Sequence, residues 1–69
     1  QEAEESNLVF RRSIYVICDV KKGEILSREN IKVIRPGYGL APSELNSCLG
    51  RKAKFDLKRG TALAVDLFE

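Results

Sequence analysis

The sequence contains no histidine, no methionine and no tryptophan, and only two cysteines. Without histidine, neither a Ser–His nor a Cys–His nucleophile system can be built. Two cysteines that lack a Cys-x-x-Cys spacing cannot form a tetrahedral zinc site within one chain. We therefore expect no catalytic residue and no metal site in this chain, and no enzymatic activity from it alone.

The two cysteines lie in segments that we expect to be buried. Cys18 falls in an apolar stretch typical of a strand, and Cys48 on the apolar face of a short predicted helix. Unpaired cysteine is among the most buried residue types. Two buried free thiols are therefore favoured over a disulfide, although the spacing does not exclude one.

The sequence also lacks a signal peptide and any run of about 18 apolar residues. We accordingly expect a cytoplasmic protein without a membrane partner. Twelve lysines and arginines against ten acidic residues give a net charge of +2. The basic residues are not clustered among aromatic residues, which argues against a nucleic-acid partner. A hydrophobic content of 43% with 32% charge is typical of a globular domain.

What the chain does contain is an internal repeat. Residues 19–26 return 37 positions later as residues 56–63, with four of the eight positions identical. Each copy predicts a strand, a tight turn and a second strand, and Gly23 is free to take a positive φ in the first turn. Asp19 and Asp56 enter the two turns, where an aspartate commonly accepts backbone N–H bonds. We favour that structural role over acid–base chemistry and expect two half-units about a pseudo-twofold axis.

The remaining pattern predicts a small, mainly β domain with short strands and long loops. Residues 13–20 alternate in polarity as a strand does. The positions expected on its apolar face are Ile14, Val16, Cys18 and Val20. Residues 31–34 are also expected to be extended, and Ser27 to cap the turn at 28–30. Pro42 and Gly50 bracket one short helix near residues 42–49.

The segment between the two half-units is the best candidate for a binding site. Two glycines and two prolines within residues 36–42 predict a loop of fixed shape. Arg35 precedes Pro36, which restricts its backbone, so its guanidinium can reach a carbonyl or carboxylate with little entropy left to lose. The candidate binding residues are Arg35, Gly37, Tyr38 and Gly39. An equally simple interpretation is that Arg35 lies on the surface and Tyr38 packs against the helix.

These segments resemble the C-terminal antifreeze-like (SAF) domain of the bacterial sialic acid synthase family. The resemblance rests on residues 12–16, 19–24, 29–31, 34–40, 49–53 and 56–60. Its most specific part is Arg-Pro-Gly-x-Gly-Leu at 35–40, between the two basic turns. It implies a β-clip fold of the SAF or type III antifreeze kind over residues 12–69. Residues 1–11 would then be a linker from a missing N-terminal barrel.

The resemblance also implies a function. The family condenses phosphoenolpyruvate with an N-acetylated amino sugar, using a divalent metal, manganese or magnesium, on a TIM barrel. The SAF domain caps the active site of the partner protomer in a swapped dimer, and its loop arginine reaches the acyl group of the sugar. Arg35 is the matching position, and Tyr38 with Gly37 and Gly39 would shape the lid. The implied partners are therefore the barrels of the parent chain and of the partner protomer.

Two alternatives remain at this stage: an autonomous SAF-type binding or assembly module, and an antifreeze protein. Ice binding needs a flat, largely uncharged face, and charge at 22 of 69 positions argues against it. Because no methionine occurs, we expect a piece of a longer chain. The sequence leaves open whether the sugar belongs to a sialic, legionaminic, pseudaminic or spore-coat pathway.

Overall fold

The structure is a computed structural model in which residues 9–69 are described. Strands β1, Ser13–Val16, and β2, Ile31–Ile34, form a two-stranded antiparallel sheet in which Ile14 lies opposite Val33. A 3-10 helix, Pro42–Glu44, leads directly into helix α1, Leu45–Cys48. The small, mainly β architecture with short strands and a helix near residues 42–49 is confirmed.

A 3-10 helix at Val65–Leu67 was not predicted, and neither was the helical conformation of Val9 and Phe10. Isolated β-bridges, among them Tyr15 with Ala62 and Ile25 with Lys52, add further pairing. The predicted linker, residues 1–11, falls largely outside the described residues, so that boundary stays a prediction. Among the described residues, no helix has the length and apolar character needed to cross a bilayer.

The first strand is shorter than predicted. It ends at Val16, after which Ile17 N donates to Asn30 O at 2.9 Å and the chain bends at Cys18. Val20 then returns as an isolated bridge to Leu57. The alternation of a strand fixes the direction of side chains only while the backbone stays extended. The prediction that Cys18 is buried is therefore wrong, since the bend leaves it exposed.

The core lies between β1 and the second half of the chain. β1 pairs with β2 along one edge and receives a backbone bond from Leu63 N to Ile14 O, at 3.0 Å, along the other. The buried apolar cluster consists of Ile14, Val16, Val20, Leu26, Ile31, Cys48, Ala53, Leu57 and Leu63. Both halves thus contribute to one hydrophobic core.

The pseudo-twofold axis predicted from the repeat is present and passes between Val20 and Leu57. These two residues exchange backbone hydrogen bonds, with N to O distances of 2.8 and 2.6 Å. Each repeat aspartate then binds the turn of the other copy. Asp56 Oδ1 accepts from Lys22 N at 2.8 Å, and Asp19 Oδ1 accepts from Arg59 N at 2.9 Å.

The symmetry extends beyond the repeated residues. Further bonds recur at positions 37 apart: Val16 N to Thr61 O with Ala53 N to Glu24 O, both at 2.9 Å, and Ile17 N to Asn30 O at 2.9 Å with Lys54 N to Leu67 O at 2.8 Å. Gly23 and Gly60 take φ values of 87° and 92° in the equivalent turns, a conformation that favours glycine. The half-units are therefore related by their backbone even where their sequences differ.

Because each aspartate binds the turn of the opposite half-unit, substitution of either one is predicted to affect stability equally. Asp19→Ala and Asp56→Ala each remove one acceptor from a turn of the opposite half, so each should lower the free energy of unfolding by about 1 kcal/mol. Asp19→Asn and Asp56→Asn keep an oxygen at the same place and serve as matched controls. Urea unfolding of the four variants measures the effect. A clear loss in one alanine variant and none in the other would contradict the symmetric roles.

The two thiols are free but differ in environment. Cys18 is exposed and Cys48 is fully buried. Burial raises the pKa of the Cys48 thiol, the Glu44 carboxylate raises it further, and Arg51 lowers it in part. The folded state thus favours the neutral thiol. The Cys48 thiol therefore lowers the free energy of unfolding only at high pH. The loss begins as pH rises above the ordinary thiol pKa of 9.0, where the unfolded chain ionises first, and it grows towards the raised pKa of the folded state.

We expect one thiol to react with an aromatic disulfide reagent at pH 8 in native protein and two in denaturant. Cys18 reacts because its thiol is reachable, whereas Cys48 is both buried and neutral. Cys18→Ser should abolish the fast reaction. Rapid modification of both thiols in the native Cys18-containing protein would contradict the burial of Cys48.

Candidate functional site

The candidate loop connects β2 to the 3-10 helix at Pro42–Glu44. Arg35 follows β2 directly, and the Arg35–Pro36 peptide bond is cis. Arg35 is exposed, and the Tyr38 side chain is 61% exposed. The surface position that the simpler interpretation expected for Arg35 is observed, whereas Tyr38 is not buried against the helix, and both side chains face outwards.

A single buried hydroxyl closes this loop. Ser13, the first residue of β1, is 1% exposed. Its Oγ donates to Pro36 O at 2.7 Å and accepts from Gly39 N at 2.9 Å. Ser13 therefore ties both ends of residues 36–39 to the first strand. Sequence reasoning missed this role. The only available signal was a hydroxyl at the start of an apolar strand, and the neighbouring residues do not indicate which loop it binds.

Gly39 is required for a different reason, the close approach of two backbones. A Cβ placed on Gly39 would collide with Ile14 O and would lie 3.1 Å from Leu63 N. On the next residue, Leu40 N donates to Leu63 O at 2.9 Å and Leu40 O accepts from Ile14 N at 3.0 Å. The loop is thus seated on backbone from both half-units, which confers the fixed shape expected from its glycines and prolines.

The guanidinium of Arg35 is also held. Its Nε donates to Phe10 O at 2.8 Å, a backbone carbonyl that precedes β1. This bond uses one of the five N–H donors of the guanidinium. Arg35 is therefore an exposed cation whose position is restricted at its own Nε as well as through the loop backbone.

Two depressions among the described residues lie away from this loop. A depression of about 510 Å³ sits at the pseudo-twofold axis. Its lining residues are Asp19, Val20, Lys21, Lys22, Glu24, Asp56, Leu57 and Lys58. Both aspartates there use Oδ1 to bind turns, as the structural interpretation of the repeat predicted. A second depression, of about 420 Å³, lies between β2 and α1.

Neither depression is lined by Arg35 or Tyr38. The candidate loop is instead an outward-facing surface that would need a second surface to enclose a ligand. Within residues 9–69, no three histidine, cysteine, aspartate or glutamate side chains are grouped as metal ligands would be. The residues that are described therefore do not fit a metal, whereas Arg35 fits an oxygen acceptor such as a carbonyl or carboxylate.

Comparison with known proteins identifies the fold and its relatives. Residues 11–69 match the family model of the SAF domain. The chain belongs to the SAF domain family. It is 51% identical over 57 residues to a pseudaminic acid synthase of Campylobacter jejuni, covering 83% of this chain and 17% of that protein. It is 45% identical over 65 residues to a pseudaminic acid synthase of Helicobacter pylori, covering 94% of this chain and 19% of that protein.

A more distant relative of this SAF domain is the N,N'-diacetyllegionaminic acid synthase of Legionella pneumophila. The two are 42% identical over 55 residues, which cover 80% of this chain and 15% of that protein. The SAF domain thus spans less than a fifth of the length of each of these three relatives. The predicted likeness to the sialic acid synthase family is confirmed.

Solved structures confirm the predicted fold. The antifreeze-like domain in the human N-acetylneuraminic acid phosphate synthase gene superposes with a TM-score of 0.77 at 17% identity, covering 83% of this chain and 73% of that one. A putative spore coat polysaccharide biosynthesis protein E from Chromobacterium violaceum gives a TM-score of 0.72 at 20% identity, covering 100% of this chain and 21% of that one. At these identities the likeness establishes the SAF fold.

The Ser13 hydroxyl provides a test of how the loop is held. Ser13→Ala should lower the free energy of unfolding by about 2 to 3 kcal/mol, because Pro36 O and Gly39 N lose their partner in a largely buried place. Ser27→Ala is the matched control. Its hydroxyl accepts one long bond, 3.3 Å from Glu29 N, so its loss should cost less than about 1 kcal/mol. Equal losses in urea unfolding would show that Ser13 does not hold the loop.

Proposed function

We propose that this SAF domain is the substrate-capping domain of a synthase that condenses phosphoenolpyruvate with an N-acetylated amino sugar to give a nonulosonic acid. The identities of 51% and 45% to pseudaminic acid synthases favour the pseudaminic acid branch over the others. The reaction itself takes place on the remainder of the parent chain. The domain contributes binding and enclosure, and it is inactive by itself.

The observation that carries this proposal is the outward-facing Arg35 on an immobilised loop. Ser13 and Gly39 fix the loop backbone, Phe10 O restrains the guanidinium, and Arg35 lines neither of the two depressions described above. Such a side chain cannot enclose a small ligand alone, but it can complete a site on a facing surface. A donor fixed in advance orients a ligand with a smaller loss of entropy than a free side chain would.

In the proposed complex, Arg35 donates to the acyl oxygen of the sugar amide. A guanidinium to carbonyl bond in a site shielded from water is stronger than one in bulk water, because the effective dielectric constant is lower. Tyr38, with Gly37 and Gly39 on either side, forms the part of the cap that excludes water. The facing surface is a TIM barrel, that of the partner protomer in a swapped dimer.

A divalent metal, manganese or magnesium, belongs to the barrel in this proposal. It would bind phosphoenolpyruvate and polarise the reacting groups there. The SAF domain supplies none of its ligands.

The proposal predicts a selective loss in the full-length protein that contains this chain. Arg35→Ala should raise the KM for the amino-sugar precursor of pseudaminic acid by about 10- to 100-fold, since a charge-assisted hydrogen bond contributes about 1.5 to 3 kcal/mol. The KM for phosphoenolpyruvate should change by less than about twofold. Initial rates of phosphate release, with each substrate varied in turn, measure both constants. The same rates are measured with the amino-sugar precursors of N,N'-diacetyllegionaminic and N-acetylneuraminic acids.

Arg59→Ala is the matched control, because Arg59 is an exposed arginine on a turn at the pseudo-twofold axis. It should leave both constants unchanged. An Arg35→Ala enzyme with unchanged kcat and sugar KM for every sugar that the wild type uses would overturn the proposal.

A further inference from the structure

Arg35 is anchored by a part of the chain that the loop itself does not include. Phe10 lies 25 positions before Arg35 and ahead of β1, and its carbonyl accepts the Nε–H at 2.8 Å. The Phe10 side chain is 71% exposed. The anchoring contact is therefore made by the backbone oxygen, and the phenyl ring is not needed for it.

With respect to residues 9–69, this bond leaves the Nη end of the guanidinium available. Nε carries one N–H, and the two Nη nitrogens carry the other four in a planar fork. A bond at Nε restrains the orientation of the group and the direction of that fork. An exposed arginine that is not restrained in this way occupies many rotamers, and it loses that freedom when it binds a ligand.

We propose that the backbone carbonyl of Phe10 positions Arg35 for the amino sugar. The Nε–H is committed to Phe10 O, and the Nη donors are directed at the sugar amide. This inference rests on the proposed function, and it adds that sugar recognition depends on the backbone conformation of the chain entering the domain. Phe10 acts through Arg35 and touches no substrate.

The backbone conformation at Phe10 suggests a variant that displaces this carbonyl. Phe10 has helical backbone conformation, and the next residue, Arg11, is exposed. A proline at position 11 disfavours the helical region for the residue before it. Arg11→Pro should therefore rotate the Phe10 carbonyl away from Arg35. Arg11→Ala removes the same side chain without that restriction and is the matched control.

The experiment uses the full-length protein with the amino-sugar precursor of pseudaminic acid and phosphoenolpyruvate. Arg11→Pro should raise the sugar KM about five- to tenfold, with less than a twofold change in the KM for phosphoenolpyruvate. Arg11→Ala should resemble the wild type. In an Arg35→Ala background, Arg11→Pro should have no further effect, because the group that it positions is gone.

A second variant covers the case in which Arg11→Pro does not fold. One glycine inserted between Phe10 and Arg11 displaces the carbonyl without introducing proline, and it should raise the sugar KM to a similar extent.

Two results would overturn the positioning role while leaving the proposed function standing. In the first, Arg11→Pro and the insertion variant both match Arg11→Ala although Arg35→Ala is impaired. In the second, Arg11→Pro raises the sugar KM equally with and without Arg35. An Arg35→Ala enzyme that matches the wild type would instead overturn the proposed function, and the positioning role with it.

Discussion

The structure depends on the mutual pairing of the two half-units at Val20 and Leu57. Their two backbone bonds lie on the pseudo-twofold axis, and both side chains are buried. From this point the ladder extends in both directions through bonds that recur 37 positions apart. With so few regular strands, a chain of this size needs such pairing, because a single small core leaves little margin over conformational entropy. The aspartates that bind each other's turns add a polar constraint at the same axis.

Features set by a few neighbouring residues could be predicted from the sequence. The Lys-Lys-Gly-Glu pattern located a turn with Gly23 at positive φ, and Pro42 with Gly50 located the helix. The binding of each aspartate to the turn of the other copy could not be predicted. The pattern is identical whether each aspartate binds its own turn or the other one, and only the paired structure distinguishes the two. The prediction that Cys18 is buried was wrong for a similar reason, because an alternating pattern does not show where the strand ends and the chain bends.

The candidate site shows the same division. Arg35 could be singled out because the following proline restricts its backbone, a property of adjacent residues. Neither of the groups that hold it in place could be found in this way. Every residue except proline carries the same backbone N–H and carbonyl, so nothing in the sequence marks Phe10 O as an acceptor. Ser13 is an ordinary serine until its two partners from the loop lie beside it.

The packing at Gly39 separates the geometry of the loop from its chemistry. The atoms that would collide with a side chain there belong to the backbone of Ile14 and Leu63, and substitutions at those residues leave such atoms in place. The position of the loop on the domain is consequently set by contact between its own backbone and the backbone of these two residues. The exposed Tyr38 side chain takes no part in that contact. A common scaffold of this kind can therefore present different ligand contacts while its interior stays the same.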